Sequence, residues 1–361
     1  SIARGKLTAG LLRVSPDGRL RDSLKYIGAH SWRWSHTGMQ LGNMPRPAKK
    51  FEDWTSEQIE ALAEAVMRGQ HIGPEEIDLL VRACLTASPG NVLLTEDFSG
   101  IEARSLAWAA GDEKAIAVYL DPKRSEYKET AHAIFKCGTD ISKGDPLYTA
   151  GKVSVLACGY QGGVNALERM GRNYGFSFAA HGVDPQTVVD GWRALHAPIV
   201  RFWYACQAAM MKAIGGREMH VSCFRFVPSA DGKDVAVFMP SGRPLVYNET
   251  KIKRDAKGRP RITYMGRESY GGYAEDLYGG KIVENIVQSK CRDLLAEAVV
   301  QCERVGLPVV LTVHDEIVAD VPASDAADGA EALHEIMTTV PEWAEGFPLG
   351  AAGHVGKRYR K

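Results

Sequence analysis

The chain has 361 residues, 45% hydrophobic and 24% charged, enough to bury a large core and to form a globular enzyme of more than one lobe. Its 44 basic and 44 acidic residues cancel, so overall charge gives no support to a polyanionic partner, and nucleic-acid contacts must come from local charge. No apolar run approaches the roughly 20 residues of a membrane span, the opening SIARGKLTAG lacks the apolar centre of a secretion signal, and seven cysteines without a CxxC pair exclude a disulfide frame, so the chain reads as cytoplasmic with reduced, packing cysteines.

Residues 17–47 mix aromatics, arginines and turn residues without a clean period, which predicts short strands and loops laid over a surface. WTSEQIEALAEAVMRG predicts a helix, with Thr55 three residues before Gln58 as a capping box and Gly69 as its stop. PEEIDLLVRACL predicts another, opening on Pro74 with acids in its first turn. NVLLTEDFSG (91–100) reads as a short apolar strand that ends on Glu96 and Asp97. From Ile101 to about Met211 the pattern is helical and Ala-rich, broken near Gly144, Gly175 and Pro198. From His220 to Tyr264 it changes to short strands punctuated by SADGKD and PSGRP. GGKIVENIVQSKCRDLLAEAVVQCERVG is a long amphipathic helix, followed by VVLTVHDEIVADV (309–321), a hairpin with His314, Asp315 and Glu316 between two apolar runs. The chain shows no repeat, low-complexity tract or flexible linker.

Two strand ends thus carry carboxylates more than 200 residues apart, Asp97 after NVLLT and Asp315 after VVLTV. A folded sheet can join them. Paired carboxylates repel unless divalent cations lie between them, and two hard cations about 4 Å apart stabilise the entering and leaving oxygens of a phosphoryl displacement. The plainer alternative is a solvated hairpin tip, where Asp and Glu are common, and spacing alone leaves both open.

The surrounding motifs favour the metal. DFSGIEARSLAWAAGD resembles motif A of the family A DNA polymerases, the DNA polymerase I type and its phage-encoded branch, and VHDEIV resembles motif C. Between them GKVSVLACGYQGG is similar to motif B, in which a Lys and a Tyr lie eight residues apart on one helix, as do Lys152 and Tyr160. ENIVQSKCRDLL resembles the phage-branch helix before motif C. DGRLRDSLKYIGAHSWRWS with GNMPRP resembles the palm entrance, and the closing RYRK is also family-like. The resemblance runs in the right order from about Lys6 to the end.

It implies an α+β right-hand polymerase fold: a palm with an antiparallel sheet in residues 1–112 and 216–361, and a helical fingers insertion in 113–215. The thumb, and the exonuclease domain that family members often place before this region, are not visible in the sequence, so an N-terminal thumb or exonuclease segment is an expected partner and no proofreading is expected from these residues. The implied activity is template-directed addition of deoxyribonucleotides to a primer 3′-hydroxyl with release of pyrophosphate. Primer-template DNA and deoxyribonucleoside triphosphates are the partners, and the setting is the cytoplasm of a bacterial or phage-infected cell.

Residue by residue, the resemblance implies that Asp97 and Asp315 hold two Mg²⁺ ions, with Mn²⁺ as a substitute, the Phe98 carbonyl as a backbone ligand and Glu316 close by. Lys152 would serve the triphosphate and protonate the leaving pyrophosphate. Glu102 and Tyr160 would block a ribose 2′-hydroxyl, and Leu156 stands where the family has an aromatic against the incoming base. His314, Gln288 and Asn43 would reach the primer-template minor groove, where donors check pair shape without reading sequence. Arg33, Arg46 and Arg243 would contact phosphates, Arg104 would organise the carboxylates, and KIKRDAKGRPR adds local positive charge. Taken alone, Lys152 is a solvated helix lysine, Glu102 a first-turn acid, Tyr160 a core aromatic and the basic run a solvated turn. Spacing of four would set Lys152, Leu156 and Tyr160 along one helix face.

The chain departs from the family in four places. Ser31-Trp32-Arg33 replaces Thr-Gly-Arg, Gly42 replaces a Gln, Tyr148 replaces an Arg four residues before Lys152, and Gly100 replaces a Gln. The third predicts weaker triphosphate binding than is usual for the family. Two readings compete with a polymerase: a two-metal nuclease, which needs Asp97 and Asp315 but neither Lys152 nor a sugar gate, and a catalytically weak template-binding protein.

Overall fold

The computed structural model describes residues 2–45, 48–51, 54–266 and 274–360. Local chemistry sets the first elements. Helix α1 spans Ile2–Leu11, and the aromatic and turn-rich stretch after it forms only two short paired strands, β1 (Leu24–Lys25) and β2 (Ser35–His36). Helix α2 (Ser56–Met67) starts on the expected capping box, with Thr55 and Gln58 exchanging side-chain and backbone bonds. Helix α3 (Pro74–Ala83) opens on Pro74, whose missing N–H costs nothing in a first turn. Strand β3 follows (Asn91–Phe98). Then come the helices α4 (Ile101–Ala110), α5 (Glu113–Leu120), α6 (Glu126–Phe135), α7 (Pro146–Cys158), α8 (Val164–Asn173), α9 (Pro185–Leu195) and α10 (Ala197–Ile214). The interruption expected at Pro198 falls instead at His196, and Pro198 lies inside the first turn of α10. Strands β4 (Met219–Val221), β5 (Phe224–Pro228), β6 (Val235–Phe238), β7 (Pro244–Arg254), β8 (Pro260–Met265) and β9 (Glu275–Leu277) precede the long α11 (Gly279–Arg304). The expected hairpin is β10 (Val309–Val313) and β11 (Glu316–Pro322), followed by α12 (Ala326–Thr338) and β12 (Ala351–Gly356).

The chain divides into two compact units. The first comprises Ser1–Ser99, Arg292–Thr339 and Leu349–Lys361; the second comprises Gly100–Cys291 and Val340–Pro348. These boundaries differ from breaks at 112 and 216, because α4 and the strands β4 to β7 share contacts with α10 inside one unit.

The first unit is built on an antiparallel four-stranded sheet in the order β10-β11-β3-β12. Both of its faces are covered. Leu93, Leu311, Val313 and Val318 join Met39, Leu41, Val81 and Tyr359 in one buried cluster. On the other side Leu94 meets α12 at Gly329, where a Cβ would come 2.9 Å from the Leu94 side chain. Each leucine so buried contributes about 1.5–3 kcal/mol relative to exposure, enough to fix the register of the sheet.

The second unit packs α10 against a six-stranded antiparallel sheet in sequence order β4 to β9. Its centre holds Trp192 and Trp203, stacked with ring centroids 5.9 Å apart, and Tyr247 edge-on to Tyr264 at 5.2 Å. The His196 ring nitrogen Nδ1 bonds Asp112 at 2.8 Å, tying the α9–α10 joint to the cap of α5. Among the described residues no helix is long and apolar enough to cross a membrane.

Candidate active site

In the first unit β11 pairs with β3 so that Glu316 stands opposite Asp97, and the Phe98 N–H donates to the Asp315 carbonyl at 3.1 Å. Two acids remote in sequence therefore share one end of the sheet. The reversal between β10 and β11 takes two residues, and His314 enters it at φ 59°, the sign that favoured two-residue hairpin turns need there. Asp97 and Asp315 are half-exposed, whereas Glu316 is fully buried. The metal ligands expected here, the two aspartates and the Phe98 carbonyl, offer oxygen donors only. Among the described residues no group of three or more His, Cys, Asp or Glu is arranged for a metal.

Glu316 is held from behind by residues that sequence motifs did not single out. Burial, then the neighbouring Glu316 carboxylate, keep the Tyr359 phenol well above its ordinary pKa, so it stays a donor. Arg82, itself buried, donates Nε to Pro45 O at 2.9 Å and Nη2 to Met44 O at 3.1 Å, with its guanidinium 5.8 Å from the Tyr359 ring. The family-like closing RYRK was the available signal for Tyr359. Nothing in the PEEIDLLVRACL pattern marked Arg82 as more than a surface arginine.

The expected DNA contacts of this unit lie on its loops. His314 Nε2 donates to Gly42 O at 2.9 Å, and its ring stands edge-on to His36 at 6.2 Å. Burial, then the neighbouring His314 and Lys6, lower the His36 pKa to about 4, so His36 is neutral. A Cβ on Gly42 would lie 2.3 Å from the His36 ring, which explains the missing side chain there. Asn43 is exposed in the next turn and Arg33 is half-exposed. Arg46 lies outside the described residues.

Trp32, at the position where the family has glycine, sits at φ 66°. Left-handed backbone costs a residue with a Cβ about 1–2 kcal/mol. Trp32→Gly is accordingly expected to stabilise the chain by about 1 kcal/mol, less whatever ring packing it removes, read as a rise in the urea midpoint. Gly100 likewise occupies φ 56° at the cap of α4, a place where the usual Gln would be strained.

In the second unit the Tyr160 hydroxyl donates to Glu102 Oε2 at 3.1 Å, joining the two residues expected to act as a pair. Burial, then the adjacent Glu102 carboxylate, hold the phenol well above its ordinary pKa, so it remains a donor. Tyr160 is not on the helix of Lys152. Helix α7 ends at Cys158 with Gly159 as its cap, because the Trp203 indole N–H takes the Gly159 carbonyl at 2.9 Å and the α11 backbone at Gly280 packs directly on Tyr160. Lys152 and Leu156 do share the outward face of α7, and Leu156 is 37% exposed. The Lys152 ammonium lies 4.8 Å from the Tyr174 ring centroid and 6.0 Å from that of Tyr127.

Arg243 follows the β6–β7 turn and binds α11 through Nη2, to Ser289 O at 3.1 Å and to the Ser289 hydroxyl. Its neighbour on that helix, Gln288, bonds Glu284 at 3.4 Å. The Arg104 guanidinium donates to the carbonyls of Pro348 at 2.7 Å and Tyr119 at 3.1 Å, over the Tyr119 ring.

No protein-family model matches the chain. The DNA polymerase of Bacillus phage SP02 is 37% identical over 367 residues, covering 96% of this chain and 54% of that protein. The DNA polymerase of Mycobacterium phage D29 is 25% identical over 283 residues, 78% of this chain and 37% of that one. Among solved structures, the POL domain of Pol1 from M. smegmatis, in complex with DNA primer-template and dNTP, matches with a TM-score of 0.62 at 15% identity, over 99% of this chain and 51% of that chain. This chain spans about half the length of the first phage relative and a smaller share of the second. It is similar in sequence to these phage DNA polymerases, and its fold is that of a polymerase domain.

Proposed function

We propose that the chain is the polymerase region of a family A DNA polymerase, extending a primer 3′-hydroxyl with deoxyribonucleotides and releasing pyrophosphate. The observation that carries this is the pairing of β11 with β3, which sets Asp315 beside Asp97 through the Phe98 to Asp315 bond. The unit bearing that sheet would be the palm, and helices α5 to α10 of the other unit the fingers. Two Mg²⁺ ions, or Mn²⁺ in their place, held by Asp97, Asp315 and the Phe98 carbonyl would supply the Lewis acidity and charge neutralisation that phosphoryl transfer needs.

The remaining work falls to side chains. Glu316, buried behind the hairpin tip, keeps that tip in place next to the aspartates. Lys152 donates to the phosphate oxygens and gives a proton to the departing pyrophosphate. Leu156 offers the incoming base an apolar surface, and the bonded pair Tyr160 and Glu102 fills the space beside the sugar C2′, leaving no room for a hydroxyl. Arg33, Asn43, Arg46, Arg243, Gln288 and the free edge of His314 are the residues for primer-template DNA. The working place would be the cytoplasm of a bacterial or phage-infected cell.

The test is primer extension on a primed DNA template with Mg²⁺ and the four deoxyribonucleotides. Stepwise lengthening supports the reading, whereas shortening of the primer that Lys152→Ala leaves intact would replace it with a nuclease. Glu102→Ala, which removes the acceptor for Tyr160, is expected to lower discrimination against ribonucleotides about tenfold, measured as the ratio of kcat/KM for the two sugars.

A further inference from the structure

Lys152 has a flexible four-carbon stem, and a cation meant for phosphate must be held without being neutralised. A carboxylate would hold it by competing with the phosphate. An aromatic face attracts the charge through its quadrupole and leaves all three N–H donors available. Lys152 has the second kind of support. Its Nζ lies over Tyr174 at 4.8 Å and Tyr127 at 6.0 Å, and Tyr127 meets Tyr148 edge-on with centroids 5.8 Å apart. Among the described residues no carboxylate pairs with it. The backbone is shaped for this arrangement. A Cβ on Gly151 would stand 2.1 Å from the Tyr127 carbonyl oxygen, so only glycine lets α6 approach α7 closely enough to bring that ring to the lysine.

We infer that Tyr127 and Tyr174 are positioning residues that hold the Lys152 ammonium for the phosphates of an incoming nucleotide. The inference rests on the nucleotidyl-transfer reading above for what the lysine binds, but its geometry stands without it. Tyr148 fits the same arrangement. One turn before Lys152, where an arginine is expected, this chain has a third tyrosine that packs on Tyr127, so a ring rather than a second cation stands at that position.

In primer extension Tyr174→Leu is expected to raise the KM for deoxyribonucleotides about three- to tenfold with kcat little changed, the size of one partly exposed cation–ring contact. Tyr174→Phe keeps the ring and should stay within about twofold of the parent. In a Lys152→Met background Tyr174→Leu should add nothing. Leucine without effect, phenylalanine no better than leucine, or an equal effect in the Lys152→Met background would each overturn the inference. A second readout needs no activity. With lysine labelled at its ε-carbon, the Lys152 methylene should resonate upfield through the ring currents and move back toward the free-lysine position in Tyr174→Leu. An unshifted methylene in the parent chain would refute the cradle. A shifted methylene in a chain that extends no primer would sink the polymerase reading alone.

Discussion

Asp315→Ala is expected to lower the single-turnover rate of primer extension by about a thousandfold or more, the several kcal/mol that metal-assisted charge stabilisation contributes to a transition state. The same variant should fold normally. The bond that aligns Asp315 with β3 uses its backbone carbonyl, which alanine keeps, and its side chain is half-exposed rather than part of the core. The urea midpoint is therefore expected to hold. Loss of extension with an unchanged midpoint assigns Asp315 to chemistry. Extension within about tenfold of the parent would return it to the ordinary role of a solvated turn residue. Glu316 cannot serve this test, because its carboxylate is fully buried beside Tyr359 and its loss would confound folding with chemistry.

Much of this site was legible before any coordinates. The two apolar runs around His314, Asp315 and Glu316, the NVLLT strand, and the Thr55 capping box are local patterns, and each formed where its chemistry indicated. The resemblance to phage DNA polymerases, drawn from short motifs, agrees with the two phage relatives. What escaped the sequence was decided by partners distant along the chain. Tyr160 sits at helical spacing from Lys152, yet the helix stops two residues earlier because Trp203 and α11 claim its last carbonyl and the space beyond it. The carbonyls of Tyr119 and Pro348 that the Arg104 guanidinium binds left no mark in the sequence. Tyr127 and Tyr174 carried no pattern at all, since an aromatic near a lysine in space leaves no period in the sequence. Trp32 was legible only as an oddity. Its left-handed backbone supplies the physical reason that glycine is usual there.

Lys290 is the clearest case of a residue that the sequence hid, and it yields the largest expected change in stability. In ENIVQSKCRDLL it reads as a surface lysine, but it is fully buried, with Nζ 3.9 Å from the Trp108 ring centroid, 4.1 Å from that of Phe347, and without a hydrogen-bond partner among the described residues. Burial lowers its pKa to about 7, with the thiols of Cys291 and Cys223 opposing. Because the folded value lies below the unfolded one of 10.5, the unfolded chain holds the proton across that interval and the folded chain does not. Stability therefore rises with pH from about 7 to about 10.5 through this group, and below about 7 the penalty is at its full size. A depression of that extent corresponds to about 5 kcal/mol, of which the two aromatic faces, as supports of the charged form, return about 1–2. Methionine keeps the length and flexibility of the stem and discards the charge. Lys290→Met should thus gain about 2–4 kcal/mol at neutral pH, with the gain shrinking steadily above about pH 7 and vanishing near 10.5. Urea unfolding at several pH values measures it directly, through the midpoint at constant slope. A gain that does not change with pH would place its origin in packing, and a loss of stability would mean that the aromatic faces hold the ammonium more strongly than burial opposes it.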